Sequence, residues 1–261
     1  MTNAVNHFQF PTSVQNPNLP VLRGYRATIA DDARTQALFS AVDMRLTYAP
    51  GGTLDGLVSS VANRKSGSVE TLAQAIIGAQ PSYDRDGGPN GRGAFRFFTS
   101  GDDALAASAL FPVGSDFFKA VVFKSGAVTT NEYLMYSGTD GNRHMLQLGA
   151  DNSVRMRCGA SGSEATAVAS FVPDQWTLVI GTWNAATKTA GLSVNGADFV
   201  TDSNAGAVVD VATNIISDGS LNDVEVSDIA YGSADLSLPE HADLRAEIEG
   251  YARNVLGLTI T

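Results

Sequence analysis

One local pattern repeats from Leu57 to Tyr231: short runs of β-branched and aromatic residues are separated by glycine, asparagine, aspartate and serine. Examples are Phe117 to Lys124 and Tyr133 to Ser137. Such runs favour strands, and the residues between them favour tight turns. Closely spaced short strands with glycine-rich turns and one terminal helix predict two packed antiparallel sheets.

The run from Ser153 to Cys158 alternates cleanly. Because successive side chains of a strand point to opposite faces, Val154, Met156 and Cys158 are expected in the core. Arg155 and Arg157 are then expected on the other face.

Three further segments carry structural signals. The run from Trp176 to Trp183 has apolar residues at both odd and even positions, which predicts a strand that is covered on both faces. The pair Asn195-Gly196 lies between alternating segments and predicts a hairpin turn, because both residues tolerate positive φ. The alternation of the strand from Val224 to Tyr231 changes phase at Ser227-Asp228, which predicts a β-bulge.

The N-terminal residues differ from this pattern. Residues 1–30 contain Pro11, Pro17 and Pro20 and have no sustained period, so we predict an extended N-terminal arm. A short helix is predicted from Asp31 to Val42, with Asp31 as its N-cap.

The C-terminal residues have a helical period. Ser237 to Glu240 matches a capping box with proline in the first turn. An apolar stripe follows at Leu244, Ile248, Tyr251 and Val255, and predicts a helix over residues 239–256 that packs on the sandwich. We therefore expect a single sandwich domain over residues 31–261 behind the arm.

Composition removes several functional classes. The formal charge of −10 disfavours binding to a nucleic-acid backbone, so no nucleic-acid partner is expected. The sequence has no apolar run long enough for membrane insertion and no recognisable signal peptide from Met1 to Pro20. A single cysteine, Cys158, cannot form an internal disulfide framework.

Several short motifs follow one another in order. They are Val58 to Gly67, Gln80 to Tyr83, Asn90 to Phe97, Gly101 to Leu105, Trp176 to Trp183, Leu192 to Gly196, Ser227 to Tyr231 and Ile248 to Tyr251. In this order and spacing they resemble the concanavalin A-like jelly roll of the laminin-G-like type. The resemblance implies an all-β, two-sheet antiparallel jelly-roll sandwich with a closing C-terminal helix. The short N-terminal helix predicted above has no counterpart in the family and completes the expected architecture. It implies no single activity, because the family includes lectins, glycan-binding modules, glycosidases, polysaccharide lyases and virus proteins.

Four residues are candidates for glycan binding: Arg143, Arg155, Arg157 and Trp183. Arginines on one strand face can hold a carboxylate or a sulfate bidentately. A solubilising face is the alternative for the arginines. Trp176 and Trp183 are better explained as core residues than as sugar platforms.

Metal binding and catalysis have weaker patterns. Asp102, Asp103, Asp140 and Asn142 are candidate calcium ligands, although ordinary turn residues explain them as well and no cofactor is expected. Asp223 and Glu225 would share a strand face, but a glycosidase pattern of this superfamily needs a second glutamate. We therefore expect a solvated strand face there and no catalytic residue.

These observations predict a non-catalytic structural and recognition module, with cell-surface polysaccharide as a possible ligand. An arm on a sandwich suits a phage capsid-decoration, head-spike or tail-associated protein, made in the host cytoplasm and displayed on the virion surface. The arm residues Phe8, Phe10, Val14 and Leu19 would bind other virion subunits or a second copy of the chain. The alternative is a bacterial cell-surface or extracellular protein that binds glycans, or a glycosidase or lyase of the same fold.

Overall fold

Two antiparallel sheets and two α-helices make up the part of the chain that the computed structural model describes, which is residues 25–41, 56–65, 67–68, 71–110, 115–137, 142–209, 213–217 and 219–261. The helices are α1, Tyr25–Asp31, and α2, Ala242–Asn254. The strands are β1 Thr35–Ser40, β2 Ser60–Ala62, β3 Thr71–Ala73, β4 Ser82–Asp84, β5 Ala94–Phe97, β6 Leu105–Leu110, β7 Phe117–Lys124, β8 Glu132–Ser137, β9 His144–Leu148, β10 Ser153–Cys158, β11 Ala165–Ser170, β12 Thr177–Asn184, β13 Thr189–Val194, β14 Val200–Ser203, β15 Thr213–Ile216 and β16 Val224–Gly232.

The first sheet has the order β14-β13-β12-β7-β16-β5-β4, and β1 also pairs with β16. The second sheet has the order β11-β10-β9-β8-β15-β6-β3-β2. Although β16 is the last strand of the chain, it lies inside the first sheet, where it pairs with β7 on one side and with β5 and β1 on the other. All nine residues of β16 are buried. The expected two-sheet sandwich is confirmed.

The main core lies between the sheets. A Cβ atom on Gly181 of β12 would lie 2.7 Å from Leu146 Cδ2 of β9 and 2.8 Å from Met156 Sδ of β10. Glycine at this position therefore lets the two sheets approach closely. Val154, Met156 and Cys158 belong to this core, as their alternation predicted.

A second apolar layer covers the outer face of the first sheet. It joins α1 and α2 to side chains such as Phe118 of β7 and Ile180 of β12. The buried Tyr251 hydroxyl of α2 donates to Asp228 Oδ1 of β16 over 3.0 Å. Because both faces of the first sheet are covered here, all eight residues of β12 are buried. This confirms the prediction made from apolar residues at both odd and even positions of the strand.

The predicted N-terminal helix is placed wrongly. Residues 35–40 form β1, and the helix lies earlier, at Tyr25–Asp31, within the predicted arm. Ala37 and Phe39 enter the main core, while Leu38 enters the layer beneath the helices. A strand that is buried on both faces has consecutive apolar residues, and in a short segment these imitate one side of a helix.

The C-terminal helix and its stripe are confirmed, but its cap is not. Leu244, Ile248 and Tyr251 are buried, and Val255 packs beside them. Leu238 precedes the 3₁₀ turn Pro239–His241, and no side chain caps that turn or α2. The Ser237 hydroxyl donates instead to Asp235 Oδ1 over 2.6 Å. No helix of the described residues is both long and apolar enough to cross a membrane.

The two turn and bulge predictions are confirmed. Asn195 and Gly196 both have positive φ, 51° and 79°. The register of β16 against β7 shifts between Val226 and Asp228, so that Ser227 is the extra residue of a bulge.

One lysine is sealed inside the main core. Lys119 of β7 is fully buried, and its ammonium nitrogen donates to the His144 carbonyl oxygen over 3.2 Å and to Ser137 Oγ over 3.3 Å. Burial lowers the pKa of Lys119 to about 7, with a smaller opposing effect from Cys158. Two neutral hydrogen-bond partners do not offset the desolvation of an ammonium group.

Replacing this lysine is expected to stabilise the fold. Because the pKa of Lys119 is lower in the folded chain than in the unfolded chain, folding opposes protonation, and the penalty is complete below pH about 7. It disappears as pH rises towards the ordinary lysine pKa of 10.5. Lys119→Met should therefore raise the free energy of unfolding by several kcal/mol near neutral pH, and by much less at pH about 10. Urea unfolding across this range measures the difference, and a constant difference would contradict the assigned cause.

The helix stripe gives a second prediction. Ile248→Ala should lower the free energy of unfolding by about 2–5 kcal/mol, because it leaves a cavity between α2 and the first sheet. Arg253 is exposed on the same helix, and Arg253→Ala is the matched control with an expected loss below about 0.5 kcal/mol. Equal melting temperatures for the two variants would show that α2 does not stabilise the sandwich.

Candidate functional site

Trp183 is not available as a sugar platform. This β12 residue has only 2% of its surface exposed and belongs to the core between the sheets. The glycan-binding assignment of Trp183 is therefore wrong, and its core alternative is confirmed. The reason is that β12 is covered by the second sheet on one face and by the helices on the other, so neither face of the strand is exposed.

The three candidate arginines lie at the outer face of the second sheet and are paired with carboxylates. Arg157 forms an ion pair with Glu164 and donates to Gln147 Oε1 over 3.1 Å. Arg143 lies 3.6 Å from the same Glu164. Arg155 instead contacts Asp151, with 3.2 Å between its Nη2 and Oδ2 atoms. The structure thus brings Arg143 and Arg157 together, but an anionic ligand would have to compete with carboxylates of the chain itself.

Two tyrosines that the sequence did not single out share this face. Tyr133 and Tyr136 of β8 have ring centroids 5.5 Å apart in an edge-on arrangement. In the strand register Tyr133 is opposite Gln147, which is itself opposite Arg155. A register shift within β8 places both tyrosines on one side, and the sequence alternation alone gives no sign of it.

The described calcium candidates serve as turn residues. Asp102 has a φ of 52° and ends a 3₁₀ turn. The Asp103 carboxylate accepts a hydrogen bond from the Phe98 N–H over 2.9 Å, and burial raises its pKa. Asn142 lies just before β9. Within the described ranges, no three His, Cys, Asp or Glu side chains are grouped so as to hold a metal ion.

Some predicted residues lie outside the described part of the chain. They are Asp140 and the arm residues Phe8, Phe10, Val14 and Leu19.

A polar cleft opens where several strands begin or end. It is lined by Arg96, Lys124, Ser125, Gly126, Ala127, Thr129, Glu132, Asp174, Asn222, Asp223 and Glu225. Its volume is about 370 Å³, which is within the usual range for small-molecule sites. The end of β7, the start of β8 and the start of β16 supply its charged walls, so both sheets contribute to it.

Two ion pairs cross this cleft. Arg96 Nε lies 2.6 Å from Asp223 Oδ1, and Lys124 Nζ lies 2.5 Å from Glu225 Oε2. The hydrogen bond to Asp223 is the main reason that the pKa of Arg96 is raised. The predicted solvated strand face is wrong for Glu225, which is only 8% exposed. Asp223 precedes β16 and is more exposed.

Glu132 of the cleft carries a buried carboxylate whose charge is not offset by an ion pair within the described residues. It is 4% exposed, and its Oε2 accepts a hydrogen bond from the Asn222 N–H over 3.2 Å. Burial raises the pKa of Glu132, and the Asn222 hydrogen bond only partly offsets this effect. No cation of the described residues forms an ion pair with Glu132.

Trp176 lies beside the polar cleft. Lys124 Nζ is 5.4 Å from the centroid of the Trp176 ring, and the ring is only partly buried. Trp176 also lines a second pocket of about 280 Å³, together with Pro89, Asn90, Gln175, Asn195 and residues 256–259. We call it the amide pocket, because Asn90, Gln175 and Asn195 present side-chain amides there. The sequence predicted Trp176 as a core residue, and the ring does pack against the apolar layer beneath the helices while it stays partly exposed. Its position just before β12 was the available signal for that exposure.

The comparison with protein families agrees with this fold. The model described as the concanavalin A-like lectin/glucanases superfamily matches residues 98–231, just over half of the chain. The chain belongs to this superfamily. None of the curated proteins matches the sequence.

Solved structures with similar folds have low sequence identity. The botulinum neurotoxin serotype D binding domain has a TM-score of 0.58 at 11% identity, covering 87% of this chain and 53% of that one. Domain 4 of AbnA, an extracellular arabinanase from Geobacillus stearothermophilus solved with arabinotriose, has a TM-score of 0.53 at 15% identity, covering 82% and 99%. The Trypanosoma rangeli sialidase has a TM-score of 0.52 at 11% identity, covering 87% and 34%.

These likenesses concern the fold. The chain spans about a third of the sialidase and about half of the neurotoxin domain. At these identities, any site must be argued from the residues of this chain.

The position of Glu132 predicts a stability gain on removal of its charge. Glu132→Gln keeps an oxygen for the Asn222 N–H and should raise the melting temperature at neutral pH. Because the pKa of Glu132 is raised on folding, the charged form destabilises the parent above that raised pKa, and the penalty fades as pH falls from it towards the ordinary value of 4.5. The melting temperatures of the parent and of Glu132→Gln should therefore converge as pH is lowered from neutral to acidic. Glu240→Gln, at an exposed position, is the control, and a parent more stable than Glu132→Gln at neutral pH would contradict the assignment.

Proposed function

We propose that the chain is a non-catalytic recognition module that binds a glycan across the polar cleft, Trp176 and the amide pocket. The observation that carries this proposal is one partly exposed tryptophan ring that lines the amide pocket and lies close to Lys124 of the polar cleft. A sugar presents hydroxyl groups at its edge and C–H groups on its faces. Side-chain amides and carboxylates suit the hydroxyl groups, and an aromatic ring suits the apolar face.

Other members of the fold support the chemistry without establishing it here. The arabinanase domain was solved in complex with arabinotriose, and nearly all of that domain is covered by this chain. A compact domain of this fold therefore holds an oligosaccharide in that protein. Its residues are not transferred to this chain.

The absence of catalysis is part of the proposal. Asp223 and Glu225 are each held in an ion pair, with Arg96 and Lys124, so neither carboxylate is free to act on a substrate. Hydrolysis of a glycosidic bond usually needs one protonated and one ionised carboxyl group.

A polysaccharide-degrading enzyme is the second candidate, because one observation favours it. Burial raises the pKa of Glu132, which suits a proton donor, and Glu225 lines the same cleft; two carboxyl groups in one cleft are what glycoside hydrolysis usually uses. Release of reducing ends from a bound polysaccharide, lost in Glu225→Gln, would establish this alternative over the first.

The display of this module on a virus particle rests on the sequence. The arm that would attach it lies outside the described residues, so virion location and attachment through Phe8, Phe10, Val14 and Leu19 stay predictions. A bacterial surface or extracellular location stays the alternative.

The proposal is tested by glycan-array binding followed by titration of the best ligand. Trp176→Ala should weaken binding at least about tenfold, or about 1.4 kcal/mol, because the ring face is lost. Gln175→Ala, which removes an exposed amide of the same pocket, should weaken binding with little effect on melting temperature.

Tyr133→Ala is the matched aromatic control at the outer face of the second sheet. Unchanged affinity in Tyr133→Ala together with a loss in Trp176→Ala supports the cleft. The reverse result would move the site to the arginine and tyrosine face, and failure of every glycan to bind would overturn the proposed function.

A further inference from the structure

The charges of the polar cleft do not balance. Four carboxylates line it, from Glu132, Asp174, Asp223 and Glu225, against the cations of Arg96 and Lys124. Both cations are engaged, Arg96 by Asp223 and Lys124 by Glu225. Within the described residues this leaves Glu132 and Asp174 without a cationic partner.

Glu132 is the informative member of this pair, because it is 96% buried yet lines the cleft. One of its oxygens accepts the Asn222 N–H. The other, Oε1, has no hydrogen-bond donor among the described residues. Glu132 is therefore a largely buried residue whose second carboxylate oxygen is free of donors from the described residues at the wall of a cleft, where a ligand can supply the donor.

The excess charge also acts at a distance. Asp174 is exposed at the cleft, next to Gln175 and Trp176. The whole chain has a formal charge of −10. A glycan that carries carboxylates or sulfates would therefore meet repulsion in this cleft, whereas a cationic sugar would be attracted.

Building on the proposed glycan-binding function, we propose that the polar cleft selects amino sugars with a free ammonium group, which donates to Glu132 Oε1. An ammonium group has three donors and no acceptor, so it matches an unsatisfied carboxylate oxygen. The ring of the same or the next sugar unit then lies against Trp176. Arg96 and Lys124 hold the neighbouring carboxylates in place and do not bind ligand anions.

The test compares oligosaccharides that differ only at nitrogen. Isothermal titration uses glucosamine oligomers with free amines, N-acetylglucosamine oligomers of equal length, and an oligouronate. The parent chain should bind the free-amine oligomer at least about tenfold more tightly than the acetylated one. Added salt should reduce this preference, because a charge attraction at a partly open site is screened.

Glu132→Gln isolates the assigned group. It keeps the size of the side chain and an oxygen for the Asn222 N–H, so the fold is preserved while the charge is removed. The preference for the free amine over the acetylated oligomer should fall to about threefold or less. Glu240→Gln removes an equal charge from an exposed position outside the cleft and should keep the full preference.

Each result has a definite meaning. Equal binding of the free-amine and acetylated oligomers by the parent overturns this inference and leaves the proposed glycan binding intact. A preference that survives in Glu132→Gln overturns the assignment to Glu132, and tighter binding of the oligouronate overturns the charge argument. Failure of all three oligomers overturns the inference, while the wider glycan array decides the proposed function separately.

Discussion

The structure depends on a first sheet that is buried on both faces. Its central strand, β16, pairs with β7, β5 and β1, and all nine of its residues are buried. One parity of its side chains fills the core against the second sheet, and the other meets α1 and α2. Because neither face of this sheet is open, it can offer binding groups only at its edges and at the ends of its strands. The polar cleft lies at such an end, where Glu225, Lys124 and Arg96 emerge from neighbouring strands.

The sequence was most informative where a strand has one buried face or a turn has one allowed geometry. The alternation from Ser153 to Cys158, the turn at Asn195-Gly196 and the bulge at Ser227 were each predicted from local chemistry, and each is present. The sequence predicted a helix where β1 lies, because a strand that is buried on both faces loses its period of two. Burial on both faces also explains why Trp183 lies in the core and cannot contact a glycan.

The candidate site was harder to predict, because its residues come from distant parts of the chain. Glu132 and Glu225 are separated by 93 positions (225 − 132) and come from different sheets. No local spacing relates them. The arginines, by contrast, stood out as a local pattern, yet Glu164 and Asp151 pair with them from adjoining loops. A pattern of charges along one strand therefore identified a face of the sheet, but the folded chain balances that face internally.

Two buried charges show how position decides the role of an ionisable group. Lys119 and Glu132 both have pKa values shifted by burial towards the neutral form. Lys119 is enclosed between the sheets, where its ammonium nitrogen donates to Ser137 Oγ and to the His144 carbonyl oxygen, so any benefit must arise inside the core. Glu132 has the same kind of desolvation cost at the wall of a cleft, where an external donor can reach it. The first charge opposes folding with or without a ligand, whereas a ligand bound as proposed would offset the cost of the second. That difference, more than the sign or the number of charges, is why we propose the cleft and not the arginine face as the binding site.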